Sequence, residues 1–175
     1  MLPILPDVLA PNLRLVICGT APGTRSAVER AYYAHPQNEF WRVMYLGGVT
    51  PRRLSPHEYP VMPSFGVGLT DICKHAFGAD SNLARVDFDA DGLAARISAV
   101  QPRILAFNGK MAAKQFFGRG HVAYGFQPET IGSTRIFVAP STSKLARRYW
   151  DNASWMELLA AAGFVPPLSV ADTEP

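Results

Sequence analysis

Four near-continuous apolar runs punctuate the chain, with amphipathic, helix-spaced stretches between them. The runs are Leu13–Cys18, Phe65–Leu69, Ile104–Phe107 and Ile136–Ala139. Each has strand length and β-branched or aromatic content. Their lack of apolar/polar alternation predicts strands covered on both faces, as in a parallel sheet. The helical pattern over Asn38–Leu46 has Phe40, Trp41, Met44 and Tyr45 as its apolar members. Asp91–Val100 presents Leu93, Ile97 and Val100, with Asp91 as N-cap. Lys110–Phe117 follows the third strand across Gly109, and Arg148–Ala162 stops at Gly163, a C′ glycine. Strands alternating with helices imply right-handed crossovers. The expected class is α/β: a three-layer α/β/α sandwich with a central four-stranded, mainly parallel sheet.

The remaining stretches carry weaker patterns. Thr50–Pro63 is broken by prolines and predicts an irregular excursion, while Ser81–Asp89 and Gly118–Glu129 predict loops. Residues 1–12 form an N-terminal arm, and residues 166–175 a tail expected to fray. A chain of 175 residues fits one domain over 1–175. Hydrophobic residues at 48% supply a core, and charged residues at 18% exclude a disordered chain. No apolar run is long enough to span a membrane. The start, MLPILPDVLAP, is too short and proline-rich for a signal peptide and has no basic n-region. A cytoplasmic monomer with no membrane partner is expected.

Cys18 and Cys73 each end or follow an apolar run and read as buried free thiols. Four histidines (His35, His57, His75, His121) show no metal-ligand spacing, so neither metal nor cofactor is expected. The net charge of +3 hints at a polyanionic partner. Of the 17 basic residues 13 are arginines, which suit bidentate phosphate contact. Lys144, Arg147 and Arg148 cluster in one polar loop; a solvated surface face is the plainer reading of any single one of them.

Ligands of open parallel sheets bind beyond the carboxyl ends of the strands. The four runs lead into Gly19–Gly23, Thr70-Asp71, Asn108-Gly109 and Pro140–Ser143, all polar or turn-forming. That convergence places two segments in one cleft. One is Gly19-Thr20-Ala21-Pro22-Gly23 with the following Tyr32–Trp41. The other is Pro140-Ser141-Thr142-Ser143-Lys144-Leu145-Ala146-Arg147-Arg148. A tight turn, an aromatic and an amide beside an exposed leucine and basic residues suit a planar polar ring next to an anionic backbone.

These segments resemble the uracil-DNA glycosylase superfamily, nearest its mismatch-specific uracil/thymine and hypoxanthine branches. Gly19-x-x-Pro22-Gly23 is similar to the first superfamily motif. His35-Pro36-x-Asn38-x-Phe40-Trp41 resembles a segment of both branches and is the most specific match. Tyr32-Tyr33-Ala34 leans toward the hypoxanthine branch, whereas Phe107–Lys110 and Ile131–Thr134 resemble mismatch-branch elements. The Pro140–Arg147 loop takes the place of the second motif. The resemblance spans about residues 13 to 163. Two positions depart from it: Ala21 stands where mismatch enzymes carry a water-positioning asparagine, and Ser141 where a histidine or asparagine is common.

The resemblance implies a DNA glycosylase that flips a deaminated base, uracil first, out of duplex or single-stranded DNA. It would hydrolyse the N-glycosidic bond and release free uracil. Tyr33 then aligns with the stacking aromatic, and Leu145 with the residue filling the hole left by the flipped nucleotide. Phe40, Thr20, Ala21, Gly23 and Ser143 join the base pocket. Asn38 either orients water or caps a helix. Asp71 either accepts from a base N–H, activates water, or makes an Asx turn. Backbone N–H groups of Thr20–Gly23 and the Ser141 and Ser143 hydroxyls are donors for the leaving base. Lys144, Arg147 and Arg148 grip the DNA, while Asn108 caps the following helix. No lysine is placed for a Schiff base, which implies a monofunctional enzyme. The alternatives are a glycosylase preferring hypoxanthine or mismatched thymine, a nucleoside or nucleotide hydrolase, and a non-catalytic binder of damaged bases.

Overall fold

β1 (Leu15–Gly19), β2 (Val67–Asp71) and β3 (Ile104–Asn108) are buried at every position, which requires cover on both faces of the sheet. The structure, a computed structural model, describes residues 2–168 without the side chains of Arg147 and Tyr149. Between the strands lie α1 (Thr24–Glu29), α2 (Phe40–Leu46), α3 (Ala90–Val100) and α4 (Lys110–Phe117). β4 (Gly125–Ile131), β5 (Thr134–Ala139) and α5 (Asn152–Ala161) complete the order. The strand order is β2-β1-β3-β5-β4, with only β4 antiparallel. One core face joins the arm, α2 and α5 through Leu5, Phe40, Met44, Trp155 and Leu158. The other joins α3 and α4 through Leu93, Ile97, Ala112 and Ala113. The three-layer sandwich stands as expected.

The sheet has five strands, where the sequence predicts four. The extra strand, β4, falls in the expected loop Gly118–Glu129 because its sequence, GFQPETI, is polar and holds Pro128. Its pairing with β5 shifts register between Phe126 and Thr130, so the proline sits in the irregularity of an edge strand, where a missing N–H is tolerated. At the opposite edge the arm covers β2 through an antiparallel bridge between Val8 and Leu69.

Helix ends also differ from expectation. Asp89, rather than Asp91, caps α3 by accepting from Gly92 N at 2.9 Å. α5 starts at Asn152 rather than Arg148, because Asp151 in extended conformation accepts from Ala153 N at 3.0 Å. Residues Lys144–Tyr149 therefore form a separate 3-10 turn. α1 gives no signal in the sequence; six residues are too few to show a period, and it ends at Arg30 in the left-handed region. The stretch expected to be irregular holds a 3-10 helix over Pro56–Phe65. Cys18 and Cys73 are free and buried. Among the described residues no helix is long and apolar enough to cross a membrane, and no cluster of His, Cys, Asp or Glu could hold a metal ion. Most of the tail expected to fray lies outside the described residues.

Candidate active site

Parallel register brings the strand ends to one rim: Gly19 pairs with Asp71, and Asn108 with Ala139. A cavity of about 980 Å³ opens over that rim. Its floor is Asp71, which is 3% exposed. A Cβ on Gly19 would lie 2.5 Å from Asp71 Oδ1 and 3.6 Å from the Tyr33 hydroxyl, so the missing side chain makes room for both. Asp71 Oδ2 and the Tyr33 hydroxyl are buried without hydrogen-bond partners. Such orphans are costly, and both residues belong to the lining of the cavity. Burial pushes the Asp71 carboxyl up to about 7; Lys74 pulls it down, Asp7 pushes it up and Arg96 pulls it down. Burial, then the nearby Asp71, push the Tyr33 phenol well above its ordinary value.

The Tyr33 ring and its backbone are held from several sides. Its ring stacks on Phe40 at 4.1 Å with planes 23° apart. Its φ of 54° lies in the left-handed region, an outlier for a bulky side chain and one of only four non-glycine cases among the described residues. The flanking backbone is fixed on both sides. Trp41 Nε1 donates to Tyr32 O at 3.1 Å, and Ala34 N donates to Ser26 Oγ at 3.1 Å. The HPxNxFW run thus folds around the aromatic that precedes it.

The Pro140–Ser143 loop is pinned by Asn108. Asn108 Nδ2 donates to Thr142 Oγ1 at 2.8 Å, and Thr142 N donates to Asn108 Oδ1 at 2.9 Å. The expected helix cap is therefore corrected: Gly109 occupies the N-cap of α4, and both amide ends of Asn108 serve the loop. Glu39 N donates to Thr142 O at 3.0 Å, which ties the loop to the HPxNxFW segment. Trp155 Nε1 anchors Pro140 O at 2.9 Å. Thr142, 1% exposed, is the joint between the two motifs, and a lone threonine in a polar loop gives no signal of that in sequence.

Thr20, Ala21, Gly23, Tyr33, Asn38, Asp71, Ser141, Ser143, Lys144 and Leu145 all line the cavity. Phe40, expected in the base pocket, does not; it is fully buried and its ring stacks against Tyr33 from behind. Asn38 Oδ1 accepts from Phe40 N at 3.0 Å in an Asx turn just ahead of α2, whose N-cap is Glu39, so the expected helix cap at Asn38 is corrected. Ser141 Oγ accepts from Ser143 N at 3.2 Å and Ser143 Oγ from Leu145 N at 3.3 Å. Each hydroxyl keeps its O–H to donate. Leu145 stands on the rim at 75% exposure, with Lys144 exposed beside it. Arg148 is exposed on the same turn, outside the cavity lining, and the Arg147 side chain lies outside what the structure describes.

Lys110 and Lys144 border the cavity. The Lys110 ammonium sits over the Tyr124 ring at 4.1 Å. Asp80 also lines the cavity; burial raises its carboxyl, and a bond to the Thr20 side chain lowers it. In sequence it was one of several acidic residues with nothing to single it out.

Residues 6–162 match the model of the Uracil DNA glycosylase superfamily. A solution NMR structure of "a putative Uracil DNA glycosylase from Methanosarcina acetivorans" aligns with a TM-score of 0.62. The alignment covers 91% of this chain and 96% of that one at 23% identity, a likeness of fold.

Proposed function

The chain belongs to the uracil DNA glycosylase superfamily, and on that premise we propose that it removes a deaminated base, uracil first, from DNA by hydrolysis. The observation that carries this reading is the buried Asp71 carboxyl and Tyr33 platform facing one cavity below an exposed leucine. A flipped base stacks on Tyr33, a contact worth roughly 1–3 kcal/mol. Leu145 enters the duplex in its place. Water attacks C1′ as the N-glycosidic bond breaks, and the bonding pair leaves with the base. The Ser141 and Ser143 hydroxyls and the backbone N–H groups of the Thr20–Gly23 turn are the donors for that developing negative charge.

Asp71 is the group we assign to the water. Asn38 has committed its acceptor oxygen to Phe40 N and offers a donor, which cannot take a proton. Asp71 Oδ2 is an acceptor with no other partner. A carboxyl at about 7 is poised for proton transfer near neutral pH. This reading makes good the missing side chain at Ala21 from the floor of the site.

The test is an assay on duplex and single-stranded oligonucleotides carrying one uracil, hypoxanthine or mismatched thymine. Alkali then reveals abasic sites. Scission at uracil, with no adduct trapped by borohydride, is the expected result. Activity confined to hypoxanthine or thymine would reassign the base. A trapped adduct would bring Lys110 or Lys144 into the chemistry. Tight binding without scission of any of the three would leave a non-catalytic sensor of damaged bases.

A further inference from the structure

The N-terminal arm is built into the back of the active site. Val8 and Leu69 exchange backbone hydrogen bonds of 3.0 Å in both directions. Leu5 is buried and lines the cavity, and the Tyr32 hydroxyl donates to Pro6 O at 3.2 Å. Ile4 N donates to Lys74 O at 2.8 Å. Between these anchors lies Asp7, the only carboxylate of the first twelve residues.

Asp7 gathers the charges behind β2. Its Oδ1 accepts from Thr70 Oγ1 at 2.7 Å and from Lys74 Nζ at 2.5 Å. Its Oδ2 forms an ion pair with Arg96 Nε at 3.2 Å, without hydrogen-bond alignment. Arg96 Nη2 in turn donates to the Asp71 carbonyl at 3.1 Å, and Arg96 Nη1 lies 3.6 Å from Asp89. The titratable and charged groups around Asp71 are Cys18 from β1, Tyr32 and Tyr33 from the loop after α1, Cys73 and Lys74 beyond β2, Arg96 from α3 and Asp7 from the arm. Two of them are cations, and both are bound to the same arm carboxylate.

We propose that Asp7 is a positioning residue of the active site: it holds Lys74 and Arg96 in ion pairs on the arm side of β2 and so limits how strongly they act on the Asp71 carboxyl. This deepens the glycosylase reading and rests on it, since it gives the charge of Asp71 a catalytic meaning. Cations near a carboxylate favour its ionised form, and a neighbouring anion opposes it. The directions at Asp71 agree: Lys74 and Arg96 lower it, and Asp7 raises it. An arm without Asp7 would take from Lys74 its ion pair and leave Arg96 with Asp89 alone, so both cations would act more strongly on the buried acid.

The experiment is an NMR titration of the carboxyl carbons of wild type, Asp7→Asn and Lys74→Met, beside pH profiles of kcat/KM on the uracil oligonucleotide. Asp7→Asn is expected to lower the Asp71 midpoint by about one unit. Lys74→Met is expected to raise it, and each profile to follow its midpoint. Lys74→Met keeps the Asp7–Arg96 pair and the Val8–Leu69 bonds, so it reads the coupling even if Asp7→Asn does not fold. An arm that is merely structural would loosen, admit water and lower the midpoint in both variants. That result overturns the inference, as do midpoints that stay in place. The titration needs no substrate, so the two readings fail separately. Opposite shifts in a protein that cleaves no deaminated base would keep the coupling and overturn the glycosylase reading.

Discussion

At the scale of single residues, the proposed chemistry turns on an acid placed where water is scarce. Asp71 ends a fully buried strand, so its carboxyl is drawn into the interior with the backbone that carries it. Its raised pKa has a sign that can be checked. Between about pH 4, where the unfolded carboxyl titrates, and about 7, the folded protein holds a proton that the unfolded chain has lost. Stability therefore falls as pH rises across that window and levels off above it. Asp71→Asn removes the effect, so its Tm should exceed that of wild type at pH 8, by about 2–4 °C for each kcal/mol regained. Turnover should drop by about 10²–10⁴-fold. Thermal melts from pH 4 to 8 decide the first claim, and parallel curves for the two proteins would reject it. Gly19→Ala tests the same geometry from below. Its methyl must displace Asp71 Oδ1, the end of a short side chain, so folding is little affected while turnover falls by up to about 10²-fold. Unchanged turnover would mean that the position of Asp71 does not matter.

At the scale of elements, two loops act as one because of Asn108 and Thr142. Asn108→Ala strands a buried threonine N–H and hydroxyl, a loss of about 1–3 kcal/mol. The expected readout is a lower Tm together with a higher KM for duplex, since the loop carrying Ser141 to Leu145 is released. A lower Tm with KM unchanged would confine Asn108 to folding. Asp151 starts α5 late and leaves Lys144–Tyr149 as a free-standing turn, which is what lets Leu145 project. Leu145→Ala should slow action on duplex by about tenfold more than on single strands, roughly 1.4 kcal/mol of lost insertion. Equal losses on both would refute the wedge. The sequence signals these loops but not their linkage, because Asn108 and Thr142 are 34 residues apart. An asparagine before a glycine and a helix predicts a local cap equally well.

At the scale of the whole molecule, a modest net charge of +3 becomes useful only where it is concentrated. Lys144 and Arg25 lie near His35 at the cavity mouth; together with desolvation, the first cause, they hold its imidazole below the usual range. Lys144→Ala should lower the slope of log affinity against log salt by about one, whatever the base in the site. An unchanged slope would take Lys144 off the DNA path. The sequence by itself determined the sandwich, since strands apolar throughout demand helices on both faces, and it put ten of the cavity residues on one rim, since parallel strands end together. Polar GFQPETI hid an edge strand, because an edge needs only one covered face and tolerates a proline. Only the tertiary structure decided that Phe40 lies beneath Tyr33 rather than in the cavity. It also decided that Asp71 sits in the dry interior beside cations held by Asp7. That last outcome depends on atoms that meet across 63 to 67 residues of chain, as Asp7 meets Thr70 and Lys74. Burial and hydrogen-bond partners belong to the packed molecule, and no local pattern encodes them.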